Sequence, residues 1–185
     1  MAYDYLIRRK VFKLFGQDFH IYNPQDQLIG FCHQKAFKLK EDIRIYTDST
    51  RQRELLTIKA RNIIDFSACY DVFDPANGML LGSWRRKGWS SLIRDKWEML
   101  DPYGNVVAVL EEDSMELALV RRFLCNLVPQ EYVLNTNCGP QANYKQRFNP
   151  FVFKLEVAIK PAFQLHPYLI LAGGILLAAI EGRQN

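Results

Sequence analysis

The side chains best suited to catalysis are scattered along this chain rather than grouped. The histidines, His20, His33 and His166, form neither an HExxH pair nor a Cys/His cluster at metal-ligand spacing. No GxSxG, GxGxxG or GxxxxGK(S/T) sequence occurs. The acidic run at 111–113 falls where a strand is expected to meet a helix, and helix capping explains it better than acid–base chemistry. We therefore expect no catalytic activity, no cofactor and no bound metal.

Basic residues supply the main functional lead. Arg85, Arg86 and Lys87 form a run that Gly88 and Trp89 follow. Cations can meet phosphate groups while an adjacent indole ring lies at a lipid headgroup boundary. The run therefore predicts a contact with anionic phospholipid headgroups. An alternative stays open, in which these cations only solvate the outer face of a sheet, since the 20 acidic residues nearly match the 24 basic ones.

Length, composition and charge narrow the remaining classes. The 185 residues, 49% of them hydrophobic, suffice for one domain with a sizeable core over residues 1–185. The net charge of +4 includes a second basic run at 8–10, but no recognition motif for nucleic acid accompanies it, so we expect no nucleic-acid binding. The four cysteines lack CxxC spacing and no signal peptide opens the chain. We therefore expect reduced thiols in a cytoplasmic protein.

A repeated hairpin pattern is the element that must position the basic run. In each repeat, alternating apolar residues lead to Asn or Asp, then to polar residues and a second apolar run. The turns begin at Asn23, Asp48, Asp74 and Asp101, and a proline follows three of these four residues, as in type I turns. The spacings of 25, 26 and 27 residues predict a meander of hairpins.

About twelve strands result when the flanking segments are included. The segment at 151–160 alternates most regularly, and its predicted inward residues are Phe151, Phe153, Leu155, Val157 and Ile159. One further short helix is predicted near 113–127, where apolar residues recur at helical spacing. This pattern alone indicates a mostly β protein, either an antiparallel sandwich or a barrel.

The segment from Tyr168 to Ile180 is apolar on every side of a helix, with Gly173 and Gly174 at its centre. A helix of this length spans roughly 20 Å, which is short for a bilayer core of about 30 Å. The interior of a barrel of about twelve strands must be filled or hydrated, and the inward residues here are apolar. We therefore predict that the helix fills the barrel and that its glycines let strand side chains approach closely. The alternative is a membrane anchor.

These features resemble the LURP-one-related proteins, a family of the Tubby C-terminal-like superfamily, which also contains the phospholipid scramblases. The resemblance covers about residues 3–181 and lies in the runs IYNP, VFDPANG, SWRRKG and WEMLDPYGN and in the final apolar helix. It implies a single domain of this type, folded as a twelve-stranded closed antiparallel β-barrel around a central hydrophobic C-terminal α-helix.

The resemblance also implies a function at membranes. Tubby domains bind phosphoinositides, and scramblases are reported to move phospholipids between leaflets in a Ca²⁺-dependent manner. We therefore expect a non-enzymatic binding or scaffold domain that contacts anionic phospholipids or phosphoinositides as a peripheral protein at the inner face of the membrane. No protein partner follows from the sequence.

Two alternative functions stay open. The first is a scramblase-like lipid transporter whose C-terminal helix inserts in the bilayer. The segment at 151–166 disfavours it, because this segment holds one acid, Glu156, and no Asp-rich loop. The second is a carrier for a small apolar ligand inside the barrel.

Overall fold

The computed structural model describes residues 3–10, 17–34, 42–62, 68–87, 96–112, 130–147, 149, 151–161 and 164–180. These residues form twelve strands and one helix: β1 (Tyr5–Lys10), β2 (Gln17–Tyr22), β3 (Leu28–Gln34), β4 (Ile43–Tyr46), β5 (Glu54–Asn62), β6 (Cys69–Asp74), β7 (Met79–Arg86), β8 (Lys96–Leu100), β9 (Val106–Glu112), β10 (Glu131–Thr136), β11 (Gly139–Arg147), β12 (Val152–Ile159) and α1 (Pro167–Ile180). The helix predicted near 113–127 lies outside the described residues.

The sheet is a closed antiparallel barrel. Each strand pairs with the strands before and after it in the chain, and β12 pairs with β1 to close the ring. The hairpin meander therefore needs no crossover connection, and its two outermost strands meet. The predicted twelve-stranded closed antiparallel barrel is confirmed.

In four hairpins the side-chain oxygen of the first turn residue accepts backbone hydrogen bonds, at the positions where the repeat predicts turns. Asp101 Oδ1 accepts hydrogen bonds from the backbone N–H groups of Tyr103 and Asn105, at 2.9 and 2.8 Å. The same bond to the residue two positions on is made by Asn23, Asp48 and Asp74. We call the end of the barrel where these turns lie the turn rim. The far rim is the end at which the odd-numbered strands finish.

The helix α1 occupies the interior of the barrel. It begins at Pro167, whose missing N–H costs nothing in a first turn, and the backbone N–H of Tyr168 donates to His166 Nδ1 at 3.2 Å. Its residues Leu169–Ala179 are all buried, on every side of the helix. The prediction that this helix fills the barrel is confirmed. Nowhere in the described ranges does a helix combine the length and the apolar character needed to cross a bilayer.

Two hydrogen bonds fix α1 against the strands. Trp84 Nε1 donates to the carbonyl oxygen of Leu169 at 2.9 Å, and the Tyr144 hydroxyl donates to that of Ile170 at 2.8 Å. Burial raises the pKa of Tyr144, so its hydroxyl remains a donor. Because the surface of α1 is apolar all round, hydrophobicity alone prefers no particular rotation of the helix. These bonds supply that preference.

The two helix glycines lie where strand side chains come nearest to α1. A Cβ atom on Gly173 would lie 2.5 Å from Trp84 Cζ2, and one on Gly174 would lie 2.8 Å from Ile7 Cδ1. Neither position has room for a methyl group without movement of its neighbour. The predicted close approach is confirmed.

The inner face of β12 follows the predicted alternation with one exception. Its inward residues are Phe153, Leu155, Val157 and the part-buried Ile159. The assignment of Phe151 to this face is wrong, since that side chain is 69% exposed. Asn149 Oδ1 accepts hydrogen bonds from the backbone N–H groups of Phe151 and Val152, at 3.0 and 2.9 Å, and this turn holds Phe151 outside the strand.

Candidate functional site

The predicted basic run lies at the far-rim end of β7. Strand alternation places Arg85 and Lys87 on the outer face and Arg86 on the inner face. Arg85 lies opposite Glu98 of β8, and Arg86 lies opposite Trp97. The guanidinium carbon of Arg86 is 5.9 Å from the centroid of the Trp97 ring. The structure therefore brings Arg85 and Lys87 together and separates Arg86 from them.

The Glu98 side chain holds both outer cations. Arg85 donates to Glu98 Oε2 through Nε at 2.9 Å and Nη2 at 2.5 Å, and Lys87 Nζ lies 3.1 Å from Oε1. Only 10% of the Glu98 side chain is exposed, against 39% for Arg85 and 46% for Lys87. A buried carboxylate thus orients two half-exposed cations. The fourth predicted residue, Trp89, lies outside the described residues, so its place in the site stays a prediction.

The ionisation of Glu98 follows from these contacts. Burial by itself raises the pKa of a carboxyl group, but the hydrogen bonds from Arg85 and Lys87 outweigh that effect. They hold the pKa of Glu98 below its ordinary value. The carboxylate is therefore charged wherever the two cations are held.

We expect this site to make stability depend on pH in the acid range. Because the pKa of Glu98 is lower in the folded than in the unfolded chain, the site favours folding above the unfolded value of about 4.3. That contribution is lost as the pH falls through the folded value. Urea unfolding should show a shallower fall in the free energy of unfolding between about pH 5 and 3 for Glu98→Gln than for the wild type.

The control for this measurement is Glu131→Gln, which removes a more exposed carboxylate from a pair with one cation, Lys145, at 2.6 Å. This variant leaves the contacts among Arg85, Lys87 and Glu98 in place, so the slope for Glu98→Gln should be shallower than the slope for this control. Equal slopes for Glu98→Gln and the wild type would contradict the role assigned to Glu98.

Cross-strand ion pairs occupy much of the remaining outer face. They join Arg44 to Glu54, Arg61 to Asp71, Lys96 to Glu111, Lys145 to Glu131 and Arg147 to Glu156. Exposed pairs of this kind contribute only about 0–1 kcal/mol each. These pairs support the interpretation that many basic residues pair with acidic residues on the solvent-exposed face of the sheet and do not bind a ligand.

A row of cations across three strands departs from this pairing. Arg8 of β1 lies opposite Lys154 of β12, and Lys154 lies opposite Arg147 of β11. Arg8 pairs with Asp26 and Arg147 with Glu156, both at 2.8 Å, but Lys154 has no ion-pair partner among the residues that the structure describes. Like charges directly opposite one another destabilise a sheet, so pairing within the sheet does not explain this row.

This region was not predicted from the sequence for two reasons. The run at 8–10 meets Lys154 only through closure of the barrel, which no local signal reveals. The second reason concerns Asn149 and Pro150, which form the same Asn-Pro pair as the first hairpin turn at Asn23. That pair could have indicated a turn before Phe151.

The histidines and cysteines make structural contacts. His33 of β3 places Nδ1 2.6 Å from Asp18 Oδ1, and His20 lies in β2. Burial raises the pKa of the Cys32 thiol to about 12, which keeps it protonated. Cys69 and Cys138 are likewise free thiols, and Cys125 lies outside the described residues. Within the described ranges, no group of three or more His, Cys, Asp or Glu residues could hold a metal ion.

Comparison with known families supplies an assignment. The family model of the LURP-one-related proteins matches residues 29–141, which is 113 of the 185 residues. The matched range runs from β3 into β11 and includes the basic run at 85–87 and Trp89. Searches of curated proteins and of solved structures gave no match. The chain therefore belongs to the LURP-one-related family, within the Tubby-like superfamily.

Proposed function

We propose that this protein is a non-enzymatic binding domain that contacts anionic phospholipid headgroups at a membrane surface through the far-rim end of β7. Arg85 and Lys87 supply the contacting charges, Arg86 supports the strand end from the inner face, and Trp89 is the predicted interfacial aromatic residue. The observation that carries the proposal is the pair of half-exposed cations on one buried carboxylate, Glu98.

This arrangement suits a phosphate group for a physical reason. Glu98 engages Nε and Nη2 of Arg85, and no described residue engages its Nη1. Within this group of three side chains, two cations stand against one carboxylate. An approaching phosphate meets side chains that are already ordered, so less conformational entropy is lost on binding. Each cation near an anionic surface contributes about 1 kcal/mol.

The position of α1 favours a peripheral contact over a scramblase-like transporter. An inserting tail would require Leu169–Ala179 to leave the barrel and expose the inner faces of the strands. Trp84 and Tyr144 would also lose the carbonyl groups to which they donate. A carrier role is disfavoured in a similar way, because the interior beside Gly173 and Gly174 is filled by strand side chains.

Co-sedimentation with vesicles tests the proposal. The wild type should sediment with vesicles of phosphatidylcholine and phosphatidylserine, or phosphatidylcholine and a phosphoinositide, but not with phosphatidylcholine alone. The double variant Arg85→Gln/Lys87→Gln should bind acidic vesicles about 30-fold more weakly, since two cations that contribute about 1 kcal/mol each are lost. Lys160→Gln removes an exposed cation just beyond the turn-rim end of β12 and should bind like the wild type. Equal recovery with neutral and acidic vesicles at low salt would refute the proposal.

A further inference from the structure

The β11–β12 hairpin tip (Arg147, Asn149, Phe151 and Lys154) combines charge with an exposed aromatic ring at the far rim. Arg147 and Lys154 lie directly opposite each other across the two strands, so their side chains leave the same face about 5 Å apart. One acidic residue, Glu156, pairs with Arg147. On its other side Lys154 faces Arg8, a third cation, which pairs with Asp26. The tip therefore carries an excess of positive charge among its described neighbours.

The turn at Asn149 sets the backbone of Phe151 so that its ring is exposed to solvent. Asn149 Oδ1 accepts hydrogen bonds from the backbone N–H groups of both Phe151 and Val152, which fixes the backbone of Phe151 just before the start of β12. Among the described residues, the other large apolar side chains that are exposed all lie at the turn rim: Leu28, Met79, Tyr103 and Val106. An apolar ring beside cations is the combination that suits a lipid headgroup boundary.

The charges of the two rims indicate which end an anionic surface meets. Acidic side chains outnumber basic ones around the hairpin turns of the turn rim: once Asp26 and Glu54 are set against their partners Arg8 and Arg44, Asp48, Asp74 and Asp101 remain against Arg51 and Arg53. An acidic bilayer is repelled there, although more apolar side chains are exposed. At the hairpin tip, by contrast, the exposed ring and the positive charge coincide.

We propose that the β11–β12 hairpin tip is a second membrane contact, in which Phe151 enters the headgroup region of an acidic bilayer and Arg147 and Lys154 meet its phosphates. The inference rests on the proposed function, because both contacts use the same bilayer. Since β12 lies five strands around the barrel from β7, the two contacts lie nearly opposite each other on the far rim. Together they orient the barrel with its far rim towards the membrane. Arg147, Phe151 and Lys154 all lie outside the family match at 29–141.

The test compares matched variants on vesicles of phosphatidylcholine and phosphatidylserine. Phe151→Ser should weaken binding about tenfold, as expected for the loss of an apolar ring that is largely buried in the bilayer when the protein is bound. Lys154→Gln should weaken it about fivefold, as expected for one cation near the surface. The matched controls are Met79→Ser, an exposed apolar residue at the turn rim, and Lys160→Gln, an exposed cation just beyond the turn-rim end of β12. Both controls should bind like the wild type.

A second readout reports insertion directly. A Phe151→Trp variant places an indole ring at the tip, and brominated lipids in acidic vesicles should quench its emission beyond the quenching seen in the wild type. The absence of extra quenching while this variant remains vesicle-bound would overturn the inference.

The outcomes separate this inference from the proposed function. Loss of binding in the tip variants as well as in Arg85→Gln/Lys87→Gln supports both contacts. Loss of vesicle binding in Arg85→Gln/Lys87→Gln alone refutes the membrane contact at the β11–β12 hairpin tip and leaves the proposed function intact. Loss in the tip variants alone supports the tip and refutes the assignment to β7. If the wild type does not bind acidic vesicles, both the proposed function and the contact at the β11–β12 hairpin tip are refuted.

Discussion

Deletion of residues 168–185 is expected to leave a chain that aggregates instead of folding into the barrel. The helix α1 contributes six large aliphatic side chains to the interior: Leu169, Ile170, Leu171, Ile175, Leu176 and Leu177. Burial of one such side chain contributes about 1.5–3 kcal/mol, so their loss removes on the order of 10 kcal/mol. That is comparable to the whole free energy of unfolding of a typical domain, about 5–15 kcal/mol. The strand inner faces lose their cover at the same time.

Size-exclusion chromatography and near-ultraviolet circular dichroism would measure this effect. The control is deletion of residues 181–185 alone, which leaves α1 complete and should preserve the folded state. A chain without residues 168–185 that stays monomeric and keeps a native near-ultraviolet spectrum would show that the helix is not required to fill the barrel.

Replacement of Gly173 by alanine is expected to destabilise the protein more than the same change at Gly174. At Gly173 the added methyl group meets the ring of Trp84, which its hydrogen bond to Leu169 holds in place. At Gly174 it meets Ile7 Cδ1, the far end of a side chain that no hydrogen bond holds, and Val157 Cγ2 lies at the less severe distance of 3.2 Å. Overpacking costs about 1–3 kcal/mol, whereas alanine in place of glycine stabilises a helix by about 1 kcal/mol. The gain should offset most of the cost at Gly174 but not at Gly173.

Urea unfolding of both variants would test this order, and leucine at Gly173 should lower the free energy of unfolding further. A double variant, Gly173→Ala/Trp84→Phe, supplies the matched control. The smaller ring makes room for the methyl group, so the two changes should cost less together than the sum of their separate effects. A Gly173→Ala protein that is as stable as the wild type would contradict the close approach of Trp84.

Much of the fold could be predicted because its signals are local. Each turn depends on an Asn or Asp whose side chain binds an amide two residues on, so a short stretch of sequence such as Asp101–Asn105 contains the whole interaction. The helix was predictable from an apolar run that is too short for a bilayer and too uniform for a surface. In both cases composition within one segment decides the structure.

The candidate site was less predictable because it depends on pairing between segments. Strand alternation could have separated Arg86 from Arg85 and Lys87, but only once the strand was known to continue to residue 86. The contact of Arg85 with Glu98 requires the register of β7 on β8. No sequence pattern within either strand specifies that register.

The error at Phe151 has a different cause. Alternation of apolar residues continues through this position, so the period of the pattern does not reveal where the strand begins. The turn chemistry of Asn149 competes with that pattern, and it determines the backbone at Phe151. Because the ring is thereby left exposed, the region where sequence reasoning failed is also the one that supplies a second candidate contact.

The position of α1 in the chain has a consequence for biosynthesis. The helix follows all twelve strands in sequence although they enclose it. The ribosome therefore synthesises the barrel strands before the helix that fills the barrel. Neighbouring hairpins can pair as they emerge, but inward residues such as Ile58 and Trp84 stay in water until α1 is complete. The edge of β1 that pairs with β12 likewise stays unpaired until Val157, the partner of Tyr5, has been synthesised. Closure of the barrel is therefore a late, long-range step, and until it occurs the nascent chain exposes the apolar surface that chaperones bind.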